Sequence, residues 1–166
     1  MTALDIPLLH AAAIGVGATA LMDLWLQLLK ARGIPSLNFS LLGRWVGHMA
    51  QGRWRHDSVG KAAPVRGELA LGWLVHYLTG IAFALALGAL VGPAWLRAPS
   101  LPPALAFGIA TVVLPFFVMQ PAMGAGIASS RTPSPAANRA RSLANHTVFG
   151  LGLYVAARAL TAFVPS

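Results

Sequence analysis

The sequence predicts an all-α integral membrane bundle of four transmembrane helices, with a short interfacial amphipathic helix after the first. Three observations lead there. Of 166 residues, 57% are hydrophobic and 10% charged, where soluble domains run at about 45–50% and about 25%. The apolar residues gather in four windows, each long enough to cross a hydrocarbon core of about 30 Å at about 1.5 Å per residue. Ten of the twelve basic residues lie in two of the three connecting segments, the asymmetry that orients membrane helices.

Helix 1 covers residues 6–29 and holds one charge, Asp23. No Lys or Arg precedes it, so it reads as a retained helix and not as a cleaved leader. Residues 30–68 form a long polar loop. Within it Leu41, Leu42, Trp45, Val46 and Met49 make one apolar stripe at helical spacing. With Arg44 and Arg53-Trp54-Arg55, that stripe predicts a short helix lying on the membrane surface. Helix 2, residues 69–96, is uncharged, as is helix 3, residues 101–123, which contains Pro102, Pro103, Pro115 and Pro121. A Ser/Pro/Arg loop at 124–142 leads to helix 4, residues 143–164, interrupted only by Arg158. Continuous apolar runs such as Phe83-Ala-Leu-Ala-Leu-Gly-Ala-Leu-Val91 lack the period-two alternation of a transmembrane β-barrel. The whole chain, 1–166, reads as a single membrane domain without internal repeats.

The net charge of +8 is accounted for by topology. Lys30, Arg32, Arg44, Arg53, Arg55, Lys61 and Arg66 in the first loop share a side with Arg131, Arg139 and Arg141 in the third. The positive-inside pattern then puts both basic loops in the cytoplasm and both termini outside, as in a multi-pass protein of a bacterial inner membrane. The expected partner is the lipid bilayer and its anionic headgroups. No nucleic-acid partner is expected, because no recognition motif accompanies the charge. The absence of cysteine excludes a disulfide scaffold and any thiolate metal site.

Ionisable groups inside a membrane helix are costly and face the bundle interior or a wet cavity. By residue count Asp23 lies about 10 Å and His76 about 12 Å from the inner boundary. Gln120, Asn145 and His146 fall near the same boundary, so all five occupy the cytoplasmic half. His76 belongs to the small-residue series Gly72, His76, Gly80, Ala84, Gly88, Gly92 on helix 2, a face suited to close helix contact. His146 belongs to the series Ser142, His146, Gly150, Tyr154, Arg158 on helix 4. A polar pocket floored by Asp23, His76 and His146 and roofed by the surface helix, with His48, His56 and Asp57, is the expected site. Such a set suits a transition metal on Asp23, His76 and His146, a haem between the two histidines, or proton transfer near neutral pH. In the third loop Ser129, Ser130, Arg131, Arg139 and Arg141 are candidates for binding a phosphate or an anionic headgroup.

Several stretches carry a resemblance. Met22-Asp23-Leu24-Trp25, Gly43-Arg44-Trp45 with Gly47-His48, and Arg55-His56-Asp57-Ser58 are similar to an uncharacterised bacterial membrane family. So are Gly72-Trp73 with His76-Tyr77, the run Pro115-Phe-Phe-Val-Met-Gln-Pro121 through Ser130, and residues 146–154. The family is catalogued as domain of unknown function 2938. The resemblance implies a small multi-pass inner-membrane protein and assigns no activity, cofactor or residue role.

The leading functional expectation is a pocket open to the cytoplasm that binds a metal, a proton or a small polar ligand. The alternatives are a small oligomeric transporter, or a non-catalytic assembly protein forming homo-oligomers through its small-residue helix faces.

Overall fold

The computed structural model describes residues 5–163, and all regular structure among them is helical. α1 (Asp5–Ala31) and α3 (Glu68–Val91) are long, nearly uninterrupted apolar helices. Between them α2 (Phe39–Met49) follows the predicted stripe. Its first turn is capped by the Asn38 side chain, whose Oδ1 accepts the Leu41 N–H at 3.2 Å.

α3 ends earlier than residue 96. Gly92 takes a φ of 83°, a left-handed conformation open to glycine, and Pro93 starts the separate short helix α4 (Pro93–Arg97). Helix 3 is irregular along its length. α5 (Leu101–Ala110) gives way to a turn, a π-helical segment at Pro115–Met119 and the short α6 (Gln120–Ala122). Pro115 and Pro121 have no N–H to offer the helical ladder, which loosens the backbone between them. α7 (Pro135–Phe163) begins eight residues before the expected position 143. Ser134-Pro135 explains the early start: proline suits the first helical position, and the Ser134 carbonyl accepts the Asn138 N–H at 3.1 Å. The last residue of the expected helix 4, residue 164, lies outside the described residues.

Among the described residues three helices are long and apolar enough to cross a membrane: Leu8–Ala31, Glu68–Val91 and Leu101–Ala122. Four were expected. α7 has the length, but Arg139, Arg141, Asn145, His146 and Arg158 dilute its apolar character. Large apolar side chains stand exposed along the long helices, including Leu24, Leu78, Val113, Phe117 and Val155, with Leu90 at 74%.

The contacts gather the chain into two units. The first comprises Met1–Ile34, Tyr77–Thr111 and Asn145–Ser166; the second comprises Pro35–His76 and Val112–Ala144. The core of the first unit is Ile14, Ala18, Ala84, Leu87, Trp95, Ala104, Phe149, Leu153 and Ala157. Phe83 meets Phe107 and Phe149 edge-on at 6.2 and 5.9 Å. α5 and α7 cross backbone to backbone, since a Cβ on Gly108 would collide with Gly150. In the second unit α2 crosses the start of α3 in the same way, where Gly43 and Gly72 leave no room for a side chain. Part of the small-residue series of helix 2 is occupied within the chain: Gly72 lies against Phe39, Gly80 against Thr19 and Gly15, and Ala84 is buried, whereas a Cβ at Gly92 would meet nothing within 4 Å.

Candidate functional site

The polar residues of the first unit form interhelical pairs. Tyr77 Oη donates to Asp23 Oδ2 at 2.9 Å, joining α1 to α3. Trp25 Nε1 donates to Asn145 Oδ1 at 2.9 Å, joining α1 to α7. Thr111 Oγ1 lies 2.6 Å from the Gly108 carbonyl and 2.8 Å from His146 Nδ1. A hydroxyl has one proton. With that proton on the Gly108 carbonyl, Thr111 accepts from His146, which fixes the imidazole as its Nδ1–H tautomer.

His76 lies in the second unit, in an aromatic setting: its ring centroid is 4.8 Å from that of Phe39, which stacks on Trp73 at 4.0 Å. Among the described residues no group of three or more His, Asp or Glu is placed to hold a metal ion.

The second unit brings together residues that sequence spacing did not join. Arg44 on α2 and Glu68 at the start of α3 form a two-pronged ion pair, with Nε–Oε2 and Nη2–Oε1 both 2.8 Å. Arg44 also donates to the Ala62 carbonyl at 3.1 Å, and the Val65 N–H donates to Glu68 at 3.0 Å. The carboxylate holds the Arg44 guanidinium above its ordinary pKa, against the opposing effect of desolvation. This fork fixes α2 and the connecting segment on α3.

One turn beyond Arg44 is His48, which is buried, as is His56 eight residues on. His48 Nδ1 and His56 Nε2 are 2.7 Å apart and the rings are stacked at 4.9 Å. The segment between them is held at several points. The Arg53 N–H donates to the His48 carbonyl at 2.9 Å, and Trp45 Nε1 donates to the Trp54 carbonyl at 3.0 Å. Past the pair, the His56 N–H donates to the Ala122 carbonyl at 2.8 Å and the Val59 N–H to the Met123 carbonyl at 3.0 Å. Gly124, with a φ of 96°, lets the chain pass directly against the Asp57 carbonyl, where a Cβ would collide. His56 Nδ1 is buried with no hydrogen-bond partner, the one such side-chain atom among the described residues. Desolvation, then the Arg53 charge, then His48 push the His56 imidazole below its ordinary pKa, with the Ala122 carbonyl acting the other way. Asp57 itself is exposed.

The adjoining corner is strained. Ala128 and Ser129 have φ of 46° and 61°, uncommon for residues with a side chain. Ser129 is buried and donates to Gln120 Oε1 at 3.0 Å, while Gln120 Nε2 reaches Ser142 Oγ at 3.4 Å. Arg139 Nε donates to the Ala128 carbonyl at 2.8 Å, and Arg141 bonds to the Asn138 side chain. Of the five residues expected to bind an anion, Ser129 and Arg139 bond within the loop, Arg141 bonds along α7, and Ser130 and Arg131 are exposed.

The family described as "Protein of unknown function (DUF2938)" matches residues 12–160. The chain belongs to this family. The match includes both histidines of the pair, the Arg44–Glu68 fork and the strained corner. No curated protein and no solved structure matches the chain.

Proposed function

We propose that this member of the family is a multi-pass protein of a bacterial inner membrane whose working site is the His48–His56 pair, where it binds a proton or a small polar ligand. One observation carries this reading: two buried imidazoles share one hydrogen bond, and one ring nitrogen remains without a partner. An unpaired buried polar atom costs about 1–3 kcal/mol, and such a cost persists where it serves a site.

The local charge opposes every cation, a divalent metal more than a single proton, and suits a neutral or anionic polar ligand. The second unit contains eight of the twelve basic residues and two of the four acids, a net +6. In the first unit, Asp23, Asn145 and His146 act as interhelical glue, worth about 0.6–2 kcal/mol per hydrogen bond. The exposed apolar faces are the lipid surface, and α7 is the fourth span, its arginines lying toward the interfaces. Both basic loops then face the cytoplasm and both termini face out.

Histidine-selective nitrogen-15 NMR of the protein in bilayers tests the site. The pair is expected to take up protons as a coupled unit, with the second entering only after the first, because the shared hydrogen bond needs one lone pair. Two histidines titrating independently near their ordinary value of about 6.5 would exclude it.

A further inference from the structure

The same pair determines whether a segment of chain stays in place. Residues 53–59 are held on the corner at residues 121–124 by two backbone hydrogen bonds, from His56 to Ala122 and from Val59 to Met123. Besides these there are the close passage at Gly124 and the imidazole contact. We propose that this segment is an acid-released latch, closed while at most one proton lies between the His48 and His56 rings and released when both rings are charged. This inference rests on the proton-binding reading of the pair and adds its structural consequence.

A hydrogen bond between two imidazoles needs one N–H and one lone pair. Neutral rings supply both, and so does a pair carrying one extra proton. Two imidazolium rings have no lone pair left. Two N–H groups would then face each other across 2.7 Å in a buried setting, and the two charges would repel.

The surrounding charges bias the equilibrium. On the segment itself, Arg53 opposes charging of His56; Arg55 is exposed beside it, and Asp57 directs its carbonyl to Gly124. On α2, Arg44 is neutralised by Glu68 of α3, and that carboxylate also feels the charge of His48. The corner at residues 120–124 has no charge and offers His56 the Ala122 carbonyl alone. The groups that would stabilise a doubly charged pair are therefore few, and opening the segment to water is the available relief. The corner also adjoins the π-helical segment Pro115–Met119, a backbone irregularity common at functional sites.

The chain has no native cysteine, so spin labels at Arg55→Cys and Ser130→Cys, both exposed positions of the second unit and the first of them on the latch itself, report the latch directly. In bilayer nanodiscs at pH 8 the label distance is expected to be short and narrowly distributed. At acid pH a longer, broad population should replace it. Arg53→Gln, at an exposed position, removes a charge that opposes protonation and should move the opening midpoint to higher pH. His56→Gln should abolish the opening over the whole range. An unchanged distance from pH 8 to 4.5 overturns the latch, and so does an Arg53→Gln midpoint equal to that of the wild type. The NMR titration separates the two ideas. Coupled titration without movement overturns the latch alone, whereas independent titration of the two rings overturns the site itself.

Discussion

Removing one member of the buried histidine pair should destabilise the protein more than removing both. In His48→Leu the 2.7 Å contact is lost, and His56, which already has Nδ1 unpartnered, is left with both ring nitrogens buried and unpaired. A lost intramolecular hydrogen bond is worth about 1 kcal/mol net, and a newly unsatisfied buried group adds about 1–3 kcal/mol. The expected cost is about 2–4 kcal/mol. In the double variant His48→Leu/His56→Leu no imidazole nitrogen is left buried between α2 and residues 53–59. Replacing both partners by apolar groups is close to neutral by the same argument, so it should lie within about 1 kcal/mol of wild type. Reversible unfolding in mixed micelles, followed by far-ultraviolet circular dichroism on all four members of the cycle, measures this directly. A His48→Leu variant as stable as the double variant would refute the reasoning, because it would mean that the two imidazoles do not depend on each other.

Further outcomes follow from the same geometry. The folded-state pKa of His56 is depressed by burial and by Arg53, so its contribution to stability is complete above about pH 6.5. That contribution is lost as pH falls through the depressed value, and His56→Gln should flatten the acid limb of a stability–pH profile. Thr111→Val removes the acceptor for His146 Nδ1 and should cost about 0.6–2 kcal/mol in thermal or chemical unfolding. Gly108→Ala should cost at least about 1–3 kcal/mol by the same measure, since its Cβ would meet the Gly150 backbone and the two helices would have to separate. Leu78→Arg, at an exposed position near the middle of α3, should impair insertion by about 2.5–3.5 kcal/mol in a translocon assay. No insertion penalty there would contradict a lipid-facing α3.

Much of the helical order was legible because it rests on periodicity and local chemistry. Leu41, Leu42, Trp45, Val46 and Met49 determine α2 wherever the rest of the chain lies, and Asn38 supplies its cap. The limits of helix 2 and helix 4 were less legible. They depend on single positions, Gly92 before Pro93 and Pro135 after Ser134, inside otherwise permissive composition. Polar residues in the membrane windows were identifiable as unusual, but their partners were not. Tyr77 for Asp23 and Trp25 for Asn145 are 54 and 120 residues away, and helical spacing says which face a residue occupies, not what stands opposite. His48 and His56 were recognised as candidates on the cytoplasmic loop. Their burial against each other follows from the Arg44–Glu68 fork and from backbone bonds to residues 122 and 123, long-range contacts without a local signature.

The central claim is that these two imidazoles are joined by one hydrogen bond whose proton content governs the site. A scalar coupling between His48 Nδ1 and His56 Nε2, measured through the hydrogen bond in nitrogen-15-labelled protein, tests it most directly. The coupling is predicted to be present at neutral pH and to vanish at acid pH as the pair takes its second proton. No coupling at neutral pH, with each histidine titrating alone near 6.5, would contradict the account.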